Sequence, residues 1–163
     1  MPYTCTIETP LGPMQAAAEA EALTGLWFQG QTYYPLHTDT WIDKPDYPVF
    51  GLLRRWLAGY FTGQNPPPDI TLAPPGSRFR QRVWKILREI PYGATCTYGS
   101  IAKQVSSPRA ARAVGGAVGH NQISLLIPCH RVVGAADQLV GYAGGIERKR
   151  ALLELEGNQS RTL

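Results

Sequence analysis

The side chains best suited to chemistry lie together at Ile127-Pro128-Cys129-His130-Arg131-Val132, where a cysteine precedes two basic residues. The apolar run Leu125-Leu126-Ile127 ahead of them predicts a buried strand that delivers Cys129 to its end. A thiolate, not a thiol, attacks electrophiles, and nearby positive charge lowers a thiol's pKa. A lone cysteine is more often a small apolar filler, but packing gives no reason to place His and Arg directly after it. Cys129 therefore reads as a nucleophile. Glu156, just before the last helix cap, is the carboxylate available to orient His130 in a nucleophile–histidine–acid relay. Sequence spacing alone does not bring the two together.

The remaining composition narrows the setting. Cys5, Cys96 and Cys129 are odd in number and widely spaced, without a C-x-x-C pair, which suits a reducing compartment rather than a disulfide framework. His37, His120 and His130 make no metal-ligand spacing with them, so no zinc site and no metal is expected. No apolar run reaches the length of a membrane span. The start, Met1-Pro2-Tyr3-Thr4, lacks a signal-peptide pattern, so a cytoplasmic location is expected. Charge is uneven: residues 1–76 carry three bases against seven acids, and residues 77–163 thirteen bases against five acids. A polyanionic partner for the second half is one reading and a solvated surface the other.

The elements that must position Cys129 divide at the proline-rich stretch between Gln64 and Ser77. Residues 1–76 form an expected α/β scaffold domain that ends in this connector. Strands at Tyr3–Glu8, Met14–Ala18 and Leu23–Phe28, with a turn at Thr9–Pro13, predict a small antiparallel meander. Apolar residues at helical spacing from Phe50 to Phe61 add one helix. Residues 77–163 form an expected mainly helical domain. Ser77 caps a helix that stops at Ile90-Pro91-Tyr92-Gly93. Helices from Tyr98 to Val105 and from Arg109 to Val118 flank a Ser106-Ser107-Pro108 turn, the outline of a helix-turn-helix. A last helix spans Ile146 to Leu155 and stops at Gly157.

The second helix of that pair is nearly all small residues, Ala110-Ala111-Arg112-Ala113-Val114-Gly115-Gly116-Ala117. Glycines weaken a helix relative to alanine, so they imply a close approach. Two surfaces qualify: a neighbouring helix of the same domain, or a nucleic-acid groove with Arg112 reaching into the duplex.

The second half resembles the O6-alkylguanine-DNA alkyltransferases, the methylated-DNA–protein-cysteine methyltransferases. The resemblance rests on Phe79-Arg80-Gln81-Arg82-Val83-Trp84, Ile90-Pro91-Tyr92-Gly93, Tyr98-Gly99-Ser100-Ile101-Ala102 and Ala111-Arg112-Ala113-Val114-Gly115. It continues through Asn121, the Cys129 motif and Gly141-Tyr142-Ala143-Gly144-Gly145. It implies a monomer that grips double-stranded DNA by the minor groove through Ala111, Ala113 and Gly115. Arg112 would fill the gap left by an extruded O6-alkylguanine. Cys129 would take the alkyl group in one irreversible turnover without a cofactor, with O4-alkylthymine left open as a further substrate. The resemblance also implies that His130, a water and Glu156 generate the thiolate. Tyr98 would donate a hydrogen bond to the leaving guanine, Asn121 would hold the hinge, and Val132, Tyr142 and Ala143 would line the pocket. The chain departs from the family pattern at Gln122, where relatives usually carry proline, and at Ala143, where some carry serine or glycine.

Two rival readings remain. A module that only recognises alkylated DNA is opposed by Cys129, which family members of that kind lack. A cysteine hydrolase using Cys129 and His130 would turn over repeatedly on an ester or amide, and would leave a basic helix-turn-helix idle.

Overall fold

The computed structural model describes residues 1–105 and 110–157, and these divide into two compact units. The first comprises Met1–Pro75 together with Gln122–Ser124. Its sheet contains β1 (Tyr3–Ile7), β2 (Met14–Glu19), β3 (Ala22–Phe28) and β4 (Ile42–Asp43), in the order β3-β2-β1-β4. The first three form the antiparallel meander, but the two-residue β4 pairs parallel with β1, so the sheet is mixed. The β1–β2 turn is closed by Thr9, whose hydroxyl donates to the Gly12 carbonyl at 2.6 Å and accepts from Leu11 N at 3.2 Å. Gly12 there has φ 109°, a value that favours glycine.

Helix α1 (Pro48–Phe61) opens with proline at its first position, where no backbone donor is needed. It buries Val49, Phe50, Leu53, Leu57 and Tyr60, spaced at helical period, and packs on β2. Ala16, Ala17 and Ala18 of β2 are all buried. The outer edge of β3 is covered by two chain segments. Leu23 bridges Leu72 of the proline-rich connector, and Leu26 bridges Ile123. The connector thus contributes to the sheet edge instead of only crossing the surface, which protects an otherwise open row of backbone groups.

The second unit comprises Gly76–Asn121 and the residues from Leu125 onward. Helix α2 (Arg78–Arg88) is capped by Ser77, whose hydroxyl accepts from Arg80 N at 3.2 Å. Helix α3 (Tyr98–Gln104) is capped in the same way by Thr97, from Ser100 N at 3.1 Å. Helix α4 (Ala111–Gly119) packs on both α2 and α3. The turn expected at Ser106-Ser107-Pro108, and Arg109 with it, lies outside the described residues. Two short strands, β5 (Cys96–Thr97) and β6 (Val132–Val133), pair in parallel, and α5 (Ile146–Leu155) closes the unit. Gly157 follows at φ 69°, the left-handed conformation of a helix stop.

The strand expected at Leu125–Ile127 is absent. Leu125 has φ 74°, which no strand tolerates, and the segment is a buried turn. The Asn121 amide fastens it, donating to the Ile127 carbonyl at 2.7 Å. Cys129 accordingly sits in a single 3-10 turn, Cys129–Arg131, that leads into β6.

Trp84 braces α2 against α4: its buried indole N–H donates to the Ala117 carbonyl at 2.8 Å. Its ring lies so close to Gly76 that a side chain there would meet it at 2.5 Å. Trp84→Phe should cost about 1–3 kcal/mol by leaving the Ala117 carbonyl unsatisfied, measured as a shifted urea midpoint at unchanged slope.

Candidate active site

The core of the second unit holds an uncommon set of polar side chains. His130, Arg131, Lys149, Glu156 and Asn121 are all buried, with His130 and Lys149 at 0% exposure. The turn Cys129–Arg131 points successive side chains in different directions, which decides what each can do. His130 Nε2 lies 2.7 Å from Glu156 Oε2. Arg131 grips the same carboxylate with Nε at 2.8 Å and Nη2 at 3.1 Å, and donates from Nη1 to the Ile90 carbonyl at 2.8 Å. A fork of this kind matches the carboxylate plane and fixes it.

The Ile90-Pro91-Tyr92-Gly93 segment, read in the sequence as a helix stop, is also the cradle of this ion pair. The Tyr92 ring lies against the Arg131 guanidinium at 5.7 Å, and its hydroxyl donates to the Leu155 carbonyl at 3.4 Å. Gly93, at φ 82°, brings its N–H to 3.4 Å from Glu156 Oε1; a side chain there would press on the Glu156 carbonyl at 3.3 Å.

Burial alone would raise the Glu156 pKa, but hydrogen bonds from His130 and Arg131 and the Arg131 charge hold it well below the usual carboxylate range. Burial lowers the His130 pKa despite the opposing pull of Glu156. His130 is therefore neutral, Arg131 balances the carboxylate, and the proton sits on Nε2, since a carboxylate only accepts. Nδ1 is left as the basic nitrogen of the ring.

Burial also raises the Cys129 thiol pKa, opposed by a hydrogen bond from the Asn121 side chain and by the charge of Lys149. The sequence reading, in which two adjacent cations activate the thiol, is corrected here. Arg131 is spent on Glu156 and His130 is neutral; among the described residues it is the charge of Lys149, from α5, that lowers the Cys129 pKa against burial. Burial raises the Tyr98 pKa, as does the nearby Cys129 charge, and the Tyr98 hydroxyl is 4.0 Å from where a side chain on Gly141 would begin.

Lys149 was not among the candidate residues because a lysine in an exposed-looking helix reads as solvated. Its ammonium donates to the carbonyls of Val132 at 2.5 Å, Val140 at 2.9 Å and Gly141 at 3.0 Å. Val132 is buried, and Tyr142 and Ala143, next along the chain from Gly141, are half-buried. Ala111, Arg112 and Ala113 are exposed on α4 and do not join the buried group; Gly115 is half-buried. A side chain built on Gly115 or Gly116 would meet nothing within 4 Å, so packing within the described residues does not require glycine at either position.

The second unit thus sets a buried cysteine in the same turn as a histidine hydrogen-bonded to a buried carboxylate, in a unit where α4 packs on α2 and α3. The chain belongs to the 6-O-methylguanine DNA methyltransferase family: its DNA-binding-domain model matches residues 78–158, and its ribonuclease-like-domain model residues 3–74. The chain is similar to the methylated-DNA–protein-cysteine methyltransferase of Mycobacterium tuberculosis, at 49% identity over 95% of this chain and 92% of the relative. It is 42% identical to the Methanosarcina acetivorans protein of the same name, over 96% and 99% of the two chains. The crystal structure of Mycobacterium tuberculosis OGT in complex with DNA superposes with a TM-score of 0.89 at 48% identity, covering 95% of this chain and 93% of that one. Among the described residues no helix is long and apolar enough to cross a membrane.

Glu156→Gln keeps the shape but leaves Arg131 buried without its anion, which should cost about 3–5 kcal/mol at pH 7. The folded carboxyl titrates below the unfolded one, so wild type holds this advantage fully above the ordinary carboxylate pKa of about 4.3. It loses the advantage as pH falls further. Urea unfolding of both proteins across that range should show the gap shrinking with acid.

Proposed function

We propose that this protein repairs duplex DNA by moving the alkyl group from the O6 atom of a damaged guanine to its own Cys129, once and irreversibly. The observation that carries the reading is the buried Cys129 turn backed by the His130–Glu156 hydrogen bond of 2.7 Å, in a unit matched over residues 78–158 by the family's DNA-binding domain. Relatives named methylated-DNA–protein-cysteine methyltransferase, and the DNA complex of one, support the substrate.

The exposed Ala111, Ala113 and Arg112, with Gly115 beside them, enter the minor groove, and Arg112 takes the place of the extruded base. Within the pocket lined by Val132, Tyr142 and Ala143, the Cys129 proton passes through a water to His130 Nδ1, and Glu156 steadies the ring. The sulfur then attacks the alkyl carbon; the S–C bond forms as the C–O6 bond breaks, and the electron pair moves onto the guanine. Tyr98 donates a hydrogen bond to that developing anion. Asn121 holds the turn through the Ile127 carbonyl. The product thioether has no resolving group, so the protein is consumed. No cofactor takes part, and the protein acts as a monomer in the cytoplasm, at the nucleoid.

Mass spectrometry after incubation with duplex DNA containing O6-methylguanine should show one methyl group on Cys129 per protein; no gain on that residue would end the proposal. Cys129→Ala should abolish transfer and retain DNA binding. Arg112→Ala should slow repair in duplex DNA by about tenfold or more, a loss of at least about 1.4 kcal/mol of transition-state stabilisation, with little effect on a free alkylated base. Equal slowing on both substrates counts against extrusion.

A further inference from the structure

We infer that the outward face of α2 is a second DNA contact, in which Arg78, Arg82 and Lys85 hold backbone phosphates beside the groove that α4 enters. The inference rests on the proposed grip of duplex DNA by α4.

Helix α2 carries five bases, Arg78, Arg80, Arg82, Lys85 and Arg88, and no acid. Val83, Trp84 and Leu87 are buried on one side. Arg78, Arg82 and Lys85 follow one another at i, i+4 and i+7 on the opposite side, and all three are exposed. No ion pair among the described residues involves any base of α2. That arrangement works against the helix. Like charges four residues apart repel, and Arg78 and Arg80 stand in the first turn, where the helix dipole is already positive. The dipole favours only Lys85 and Arg88, in the last turn.

A solvated face does not require such segregation, and α5 of the same unit shows the alternative. Its surface interleaves the two signs, and Arg150 donates to Glu147 at 2.8 Å. The uniform sign on α2 calls for an anion from outside the chain, and the spacing indicates which. From Arg78 to Lys85 the helix rises about 10 Å. A DNA strand presents a phosphate about every 3.4 Å along the duplex axis, so the stripe is as long as a run of about three phosphates. Its position agrees. Helix α2 packs directly on α4, where the Trp84 indole donates to the Ala117 carbonyl at 2.8 Å. A helix seated in a minor groove about 6 Å wide has a phosphate strand on either side, and a helix packed beside it is placed to meet one of them. Contacts of this kind add affinity and fix orientation without reading sequence.

Salt dependence tests this directly. Binding of undamaged duplex DNA is measured across a salt series for wild type and for Arg78→Gln/Arg82→Gln/Lys85→Gln. Each lost phosphate contact flattens the slope of log affinity against log salt by about 0.9. The variant should therefore lose about 2–3 of slope and bind at least about tenfold more weakly at low salt. Lys44→Gln/Arg55→Gln, which removes exposed charge from the first unit, should keep the wild-type slope. An unchanged slope in the α2 variant overturns the inference, and so does an equal loss per charge in the first-unit variant. Should the α2 variant not fold, wild type decides. Bound duplex should shield Lys85 from an amine-acetylating reagent while Lys44 stays reactive, read by mass spectrometry. Equal labelling of Lys85 with and without DNA overturns the inference. If wild type fails to bind duplex at all, the DNA reading of α4 falls instead.

Discussion

The buried Glu156 carboxylate is the constraint on which the site depends. One negative charge is shared by an arginine and a histidine, and the arginine takes the larger part through its two-pronged grip. That division has a chemical consequence. Were Arg131 missing, the cheapest way to balance a buried carboxylate would be a proton on His130. A protonated imidazole cannot act as a base. The arginine beside the cysteine therefore acts on the proposed base, by helping to keep His130 neutral. The ring of Tyr92 and the Ile90 carbonyl hold that guanidinium, and the Gly93 N–H meets the carboxylate it grips.

The same burial keeps the thiol protonated at rest. For a protein consumed by one event, this is useful. A thiolate exposed to solvent would react with oxidants or stray electrophiles, and each such reaction would waste a molecule. Lys149 and the Asn121 side chain lower the cost of the thiolate once the proton has somewhere to go. Restraint and readiness come from opposite terms acting on one atom.

How much of this could be read from the chain depended on the range of the interactions. Helices with a wide apolar stripe and a local cap, such as α2 with Ser77, were legible because period and cap are both local. The meander was legible from its alternation and turns; β4 was not, because two residues joined in parallel to β1 carry no pattern of their own. Leu125–Ile127 looked like a strand because an apolar run signals burial without specifying conformation. Only the fold supplies the turn at Leu125. In the site, Cys129, His130 and Glu156 were named from residue type and position, and the structure brings His130 and Glu156 together. The activating cation was misassigned to neighbours in sequence. Lys149 is twenty residues away, and its burial depends on three backbone carbonyls that no motif records.

The composition of α4 follows from its two unlike faces. One face carries Val114, Ala117 and Val118 into the core, where Trp84 takes the Ala117 carbonyl. The other presents Ala111, Arg112, Gly115 and Gly116, with open space beside both glycines. Each glycine in a helix costs about 1 kcal/mol relative to alanine, and nothing within the described structure offsets it. If close packing inside the unit were the reason, a methyl group there would strike a neighbour, as one on Gly76 would strike Trp84. It does not. No contact among the described residues offsets that cost, and in the proposed function a duplex approached through its minor groove is the surface that rewards the missing side chains.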